Sequence, residues 1–230
     1  MQLSRSLLLV NLVHLCLFRT MSVTAAASST GMIALKSALR REVTNKLKAL
    51  DRSAIADQSA QILTALQALP EFQASKTICC YISFGKEVET LPILTTCFNL
   101  EKEVIIPKVT GPKSNDMVML SCSSAEELRG YTENKWGIPE PEHSAPDLTH
   151  TKDIDLIFVP GIAFDKSCNR VGRGRGYYDC FLSKVLPKEK KPITVGLCFD
   201  EQVGEVVVPT EEHDIPLDYI ITPTRTLKST

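Results

Sequence analysis

The sequence lacks the motifs of several common functional classes. Its eight cysteines include no C-x-x-C pair and its four histidines no H-x-x-x-H spacing, so the ligand spacings typical of a zinc site are missing. No internal repeat or low-complexity tract is visible. Lysine and arginine (26) nearly balance aspartate and glutamate (27), which argues against binding nucleic acid or an anionic membrane through the overall field. Any such binding would have to be local.

The cysteines are interpreted as reduced thiols. A chain of 230 residues, 43% of them hydrophobic, can bury a sizeable core without disulfides. Cys79 and Cys80 lie in an apolar run with strand character, where a reduced cysteine behaves as a small hydrophobe. The sequence is therefore typical of an intracellular protein.

The first thirty residues differ from the rest. The chain has no acidic residue before Arg41, and its longest early apolar run, 7–18, is shorter than the roughly 20 residues that cross a bilayer. A secretory signal, a mitochondrial transit peptide and a leader bypassed by a start at Met21 all fit. We exclude residues 1–30 from the fold and expect one domain over residues 31–230. We expect it in the cytoplasm or, through the leader, in the mitochondrion.

Alternating helix and strand patterns after residue 30 predict an α/β protein. A helix is expected where Leu35, Leu39, Val43 and Leu47 recur every four residues, and a second one at about 53–69. Apolar runs typical of buried parallel strands follow: 77–83, 104–109, 117–122, 156–159, 193–199 and 219–222. Further helices are expected between them, at 91–100, 125–129 and 177–185. The pattern indicates a three-layer, mostly parallel open sheet with helices on both faces.

The strongest local signal is the run VPGIAFDKSCNRVGRGRGYYD, residues 159–179. It links a predicted strand to a predicted helix, so a glycine-rich turn brings free backbone amides to a helix N-terminus, where the dipole favours anions. Positive charge comes from Lys166, Arg170, Arg173 and Arg175. Neither G-x-x-x-x-G-K-[ST] nor G-x-G-x-x-G is present. We interpret the run as a polyphosphate-binding loop; the alternatives are a solvated turn and an RNA-binding arginine–glycine segment.

Other candidates depend on this loop. Asp179, just inside the following helix, and Asp214, in EEHDIP, offer the hard oxygen ligands that Mg²⁺ prefers, although helix-terminal and turn positions alone also explain them. Glu87 follows the first strand, where it would accept hydrogen bonds from an amino-pyrimidine or serve a solvated turn. Trp136, the only tryptophan, is either a structural plug or a stacking surface. Lys36 lies one helical turn from Arg40, and the pair either neutralises phosphates or solvates a helix face.

Five segments in order resemble the 5-formyltetrahydrofolate cyclo-ligase (methenyltetrahydrofolate synthetase) family. They are ALKSALRRE, ISFGKEVET, WGIPEP, DLIFVPGIAFDKSCNRVGRGRGYYD and EEHDIPLDYIITP. The resemblance covers about residues 33–225. It implies the fold of sugar-phosphate isomerases and CoA transferases. It also implies conversion of 5-formyltetrahydrofolate and MgATP to 5,10-methenyltetrahydrofolate, ADP and phosphate through a phosphorylated N5-formyl intermediate.

The resemblance also implies residue roles. ATP would be bound by Lys36, Arg40, Arg170, Val171, Gly172, Arg173, Gly174, Arg175, Gly176, Tyr177 and Tyr178. The folate substrate would be bound by Arg40, Ile82, Glu87, Trp136, Arg173, Gly174, Arg175, Gly176 and Tyr177. Arg40, Arg173 and Arg175 are the expected catalytic residues, and Asp179 and Asp214 the expected Mg²⁺ ligands. Arg175 departs from the family pattern, because relatives often carry lysine or glycine there.

We therefore expect an ATP- and Mg²⁺-dependent ligase that acts on small molecules as a monomer, without nucleic acid or membrane partners. A non-catalytic folate- or nucleotide-binding protein on the same scaffold is the alternative. The glycine loop together with both aspartates favours catalysis, because simple storage needs no metal ligands.

Overall fold

The structure is a computed structural model that describes residues 29–134, 137–141, 145–204 and 207–229. The helices in these ranges are α1 (Ser29–Lys48), α2 (Arg52–Gln67), α3 (Pro70–Ala74), α4 (Leu91–Asn99), α5 (Ala125–Arg129) and α6 (Tyr177–Val185), with a 3₁₀ turn at Asp200–Gln202. The strands are β1 (Thr77–Cys79), β2 (Glu103–Val109), β3 (Met117–Cys122), β4 (Thr132–Glu133), β5 (Pro139–Glu140), β6 (Leu156–Val159), β7 (Ala163–Phe164), β8 (Arg170–Val171), β9 (Ile193–Leu197), β10 (Tyr219–Ile221) and β11 (Thr226–Lys228). No described helix is both long enough and apolar enough to cross a membrane.

Seven strands form one sheet in the order β11-β10-β9-β6-β1-β2-β3. The five inner strands, from β10 to β2, run parallel, and antiparallel strands close both edges. The mostly parallel sheet predicted from the sequence is therefore confirmed. Strand β1 ends at Cys79 rather than at residue 83, because the chain turns into a loop that Ser83 and Thr90 close by reciprocal side-chain to backbone hydrogen bonds of 2.9 and 3.1 Å.

The sheet has a hydrophobic core on each face. In β6, Leu156 and Phe158 belong to one core and Ile157 and Val159 to the other, as alternation along a strand requires. Helices α1 to α5 contribute to the first core and α6 to the second. The three-layer prediction holds, with most of the described helical material on one face.

Helix α1 buries only part of the apolar stripe that its four-residue spacing defines. Val43 and Leu47 are buried, but Leu35 is 53% exposed and the next residue, Lys36, is 8% exposed. Leu35 therefore lies outside the core, although it shares the four-residue spacing of Val43 and Leu47. The buried face of this half of the helix carries the cation of Lys36, which pairs with Glu211 and Asp214.

The carboxyl ends of β1 and β6 mark the point where the chain reverses direction across the sheet. From β1 the chain continues to β2 on one side, and it later returns to β6 on the other. Loops leaving two such neighbouring strands separate and open a crevice, which is where open α/β sheets bind ligands. The loop after β1 and the glycine-rich run after β6 both lie at this crevice. That run also contains an unpredicted hairpin, β7–β8, ahead of Gly172.

Candidate active site

The loop after β1 and the glycine-rich loop are joined by Arg173. Its guanidinium donates to Glu87 Oε1 from Nε at 3.2 Å and from Nη2 at 2.8 Å, and it lies 4.2 Å from the Phe84 ring centroid. Glu87 Oε2 accepts from the Phe84 backbone N–H at 3.1 Å. These contacts link the predicted phosphate loop to the predicted pterin pocket across the crevice.

Glu87 is a buried carboxyl group with a perturbed pKa. Its side chain is 11% exposed, and burial raises its pKa above the ordinary value, while the Arg173 cation and the Phe84 N–H act in the lowering direction. Desolvation penalises the charged form, and a nearby cation favours it. Such a carboxyl group can accept hydrogen bonds from specific donors on a ligand, because little water competes for its oxygens.

Arg40 of helix α1 contacts the glycine-rich loop. Its Nε donates to the Gly172 carbonyl oxygen at 2.7 Å. Gly174 has φ +93°, and a Cβ atom there would lie 3.4 Å from Arg40 Cζ. A side chain at 174 would therefore be strained by its backbone conformation and pressed against the guanidinium.

The glycine loop ends where α6 begins. Gly176 is the N-cap residue, with φ +71°, and no side chain caps the helix there. The Tyr177 hydroxyl donates to the Gly111 carbonyl oxygen at 2.7 Å, so the β2–β3 turn contacts this end of the helix. The sequence did not predict that this turn contacts the helix, because the composition of the turn resembles that of an ordinary hairpin.

Lys36 holds two carboxylates from the far end of the chain. Its ammonium group lies 2.5 Å from Asp214 Oδ2 and 2.9 Å from Glu211 Oε2. These hydrogen bonds and charges raise the pKa of Lys36, although burial, the largest single influence, acts to lower it. Ligand atoms of Glu211, His213 and Asp214 lie within 4.8 Å of one another, an arrangement that could hold a metal ion.

Asp179 is held by a buried arginine. Arg170 Nη2 donates to Asp179 Oδ1 at 2.7 Å, and the Arg170 side chain is 4% exposed. The Arg170 Nε and the Tyr178 hydroxyl are also buried, and neither has a hydrogen-bond partner in the described part of the chain. The ion pair with Arg170 fixes Asp179 in place.

Asp165, at the turn of the β7–β8 hairpin, is a second residue that the sequence reasoning missed. It is 4% exposed and accepts from the backbone N–H of Ser167, Asn169 and Val208 at 2.9, 3.0 and 2.9 Å. The bond to Val208 ties the glycine-rich run to the segment that leads to Asp214. The signal was the position of an aspartate in a turn, where it accepts backbone hydrogen bonds.

The other predicted site residues differ in their surroundings. Ile82 is half-buried just beyond β1, and Arg175 is exposed. The Val171 side chain is buried in the first core, so only its backbone can meet a ligand. Trp136 lies outside the described residues.

Comparison with known proteins adds four findings. The model of the 5-formyltetrahydrofolate cyclo-ligase family matches residues 32–223. The 5-formyltetrahydrofolate cyclo-ligase of Mus musculus is 36% identical over 189 residues, which cover 81% of this chain and 92% of that protein. The mitochondrial 5-formyltetrahydrofolate cyclo-ligase of Arabidopsis thaliana is 33% identical over 208 residues, which cover 82% and 74%. The NMR structure of Aquifex aeolicus 5,10-methenyltetrahydrofolate synthetase has a TM-score of 0.70 at 32% identity and covers 84% of this chain and 92% of its own.

Proposed function

The chain belongs to the 5-formyltetrahydrofolate cyclo-ligase family, and we propose that its site converts 5-formyltetrahydrofolate and ATP to 5,10-methenyltetrahydrofolate, ADP and phosphate. The observation that carries the proposal is the contact between Arg173 and Glu87. It brings a glycine-rich, cationic loop and a buried carboxyl group to one crevice, as a reaction between a nucleotide and a pterin requires.

The chemistry needs positioning and charge neutralisation. The N5-formyl oxygen attacks the γ-phosphorus of ATP and ADP leaves, which turns a poor electrophile into an iminium-like phosphate ester. N10 then attacks the formyl carbon and loses its proton, and phosphate leaves. Such phosphoryl transfer requires in-line placement and neutralised oxygens more than covalent help. No serine or cysteine nucleophile is assigned.

The phosphates are proposed to bind over the glycine-rich loop. Gly172, Gly174 and Gly176 let the backbone approach the nucleotide, and the first turn of α6 presents free N–H groups. Arg40 already lies across this loop through Nε, so its two terminal nitrogens remain as donors. Arg173 and the exposed Arg175 complete the charge. We assign these three arginines to stabilising the transferring phosphoryl group.

The rest of the nucleotide site has supporting roles. Lys36, on the same helix as Arg40, is assigned to ATP through its ammonium group. Arg170 contributes by holding Asp179, and Val171 through its backbone. Tyr177 and Tyr178 are placed at the start of α6, where they shape the floor of the site.

The pterin is proposed to bind at the loop after β1. Glu87, in its ionised form, accepts hydrogen bonds from the amino-pyrimidine donors, and Ile82 supplies an apolar wall beside it. Trp136 is assigned to the same pocket from the resemblance alone.

Mg²⁺ is proposed to bind at Asp179 and Asp214. Each of these carboxylates uses one oxygen for a cationic side chain, Arg170 or Lys36, and its second oxygen is the expected ligand atom. A carboxylate of this kind suits a hard cation that takes one or two carboxylates and keeps several waters. When bound, the ion would neutralise phosphate charge.

Production of the methenyl compound tests the proposal. Purified protein is mixed with 5-formyltetrahydrofolate and MgATP, and the absorbance of 5,10-methenyltetrahydrofolate is followed. We expect product formation that depends on ATP. Folate binding without product at any ATP concentration would instead support the non-catalytic alternative.

We propose that the protein acts as a monomer on these small molecules, in the cytoplasm or, through residues 1–30, in the mitochondrion. The Arabidopsis relative is mitochondrial by name, and this name supports including the mitochondrion in the proposal. Imaging tagged full-length protein beside a chain that starts at Met21 separates them. Matching cytosolic signals would exclude a targeting role for the leader.

A further inference from the structure

The turn between β2 and β3, residues 110–116, lies against the phosphate loop. Besides the Tyr177 contact with Gly111, a Cβ atom on Gly176 would lie 3.5 Å from the Ser114 Cβ. Two independent contacts therefore join this turn, which we call the hairpin tip, to the first residues of α6. The hairpin tip is therefore a direct neighbour of the proposed phosphate site.

The hairpin tip is closed by hydrogen bonds among its own residues. Asp116 Oδ2 accepts from the Lys113 backbone N–H at 2.9 Å, and the Thr110 and Asp116 N–H groups bond to the Asp116 and Lys113 carbonyls at 2.9 and 3.0 Å. Lys113 and Ser114 are exposed, so their side chains do not support the sheet.

Lys113 stands next to the residue that touches Gly176. Lysine carries its charge on a flexible four-carbon stem, so its ammonium group can reach an anion bound over the loop. We propose that the hairpin tip forms a third wall of the nucleotide site, with Lys113 as a further cation for the phosphates and Tyr177 as the residue that positions the tip. This inference rests on the proposed phosphate site and extends it to a segment outside the family-like motifs.

Steady-state kinetics of Lys113→Gln test whether Lys113 contributes to binding the phosphates of ATP. An exposed or half-exposed charge contact contributes about 1 kcal/mol, so we expect the KM for ATP to rise roughly three- to tenfold while the KM for 5-formyltetrahydrofolate stays near the wild-type value. The matched control is Lys76→Gln, which makes the same change at an exposed lysine just before β1. This lysine lies at the amino ends of the parallel strands, whereas the proposed site lies at their carboxyl ends. This control should leave both values unchanged.

Hydrogen exchange of Tyr177→Phe tests the positioning role. Loss of the hydroxyl should speed amide exchange of the peptide over residues 110–116 and raise the KM for ATP more than it lowers kcat. The control, Tyr219→Phe, also removes one phenol hydrogen bond, the 2.5 Å contact with Glu71, but at the amino end of β10. It should leave exchange at the hairpin tip unchanged.

The outcomes separate this inference from the reaction itself. A wild-type protein that makes no methenyl product would sink the proposed function. An active wild type with unchanged ATP kinetics in Lys113→Gln, or unchanged tip exchange in Tyr177→Phe, would overturn only the hairpin inference. A rise in the ATP KM that is equal in Lys113→Gln and Lys76→Gln would also overturn it, because that effect would come from net charge.

Discussion

Single residues at this site each serve two partners. Arg173 pairs with Glu87 and lies over the Phe84 ring, while it is also assigned to the phosphates. Arg40 bonds a loop carbonyl through one nitrogen and keeps two others for a ligand. Shared contacts of this kind connect the two substrate pockets, so a change in one pocket is expected to be felt in the other.

The pH dependence of folate binding reports on Glu87. Its ionised form is the hydrogen-bond acceptor, so folate affinity should fall as the pH drops through its raised pKa. Arg173→Gln removes the cation that lowers this pKa. The acid limb of folate binding, the pH range over which folate affinity falls, should therefore move to higher pH in this variant. It is measured by titrating 5-formyltetrahydrofolate at a series of pH values from acid to neutral.

Two further variants define the result. Arg175→Gln makes the same charge change at an exposed residue and should keep the wild-type limb. Glu87→Gln should abolish the limb. An acid limb of Arg173→Gln that coincides with the wild-type limb would mean that Glu87 does not govern folate binding.

Leu35 and Lys36 show what the sequence could and could not predict at the residue scale. The four-residue spacing correctly placed a helix there, while the roles of Lys36 and Arg40 at the phosphates stay predictions. The spacing could not show that Lys36 rather than Leu35 is buried, because a helix that leaves the sheet can bury a lysine against carboxylates from residues 211 and 214. Those partners are distant in sequence, so no local sequence pattern predicts the contact.

At the scale of elements, the β7–β8 hairpin links the parts of the site. Through Asp165, its turn holds the N–H of Val208, at the start of the segment that carries Asp214. The sequence predicted a single glycine-rich turn between β6 and α6, and this description fits residues 172–176. The hairpin was not predicted because each of its strands has only two residues.

Removal of the Asp165 carboxylate should affect both stability and ATP use. Asp165→Ala leaves buried backbone donors without an acceptor, and each such loss costs about 1–3 kcal/mol before relaxation. We expect a loss of roughly 2–4 kcal/mol in the free energy of unfolding by urea, with a raised KM for ATP. Asp51→Ala, which removes the N-cap bond to Ala54 of α2, should cost only about 1 kcal/mol and leave the kinetics unchanged. Equal costs in the two variants, or an unchanged ATP KM in Asp165→Ala, would contradict the linking role.

At the scale of the whole molecule, the parallel sheet and its reversal point determine where the site lies. The alternation of apolar runs was sufficient to predict the layers and the carboxyl edge. The antiparallel edge strands and the contact of the hairpin tip with α6 depend on tertiary pairing, which residue spacing does not encode.

Nucleotide binding should therefore stabilise the whole fold. MgATP at a hundred times its Kd adds about 2.7 kcal/mol, which corresponds to a rise in Tm of roughly 5–10 °C for a chain of this size. The shift should shrink in Lys36→Gln, measured against that variant's own Tm without nucleotide. A wild-type Tm that does not respond to MgATP would contradict binding at this site.

The contact between Lys36 and Asp214 joins positions 178 residues apart in the chain. On a ribosome, the helix with Lys36 emerges early, and its carboxylate partners emerge more than 170 residues later. The buried lysine therefore waits through most of synthesis without its counter-charges. A nascent or truncated chain that lacks the segment around residue 214 cannot assemble this site, so unfinished copies should consume neither ATP nor folate.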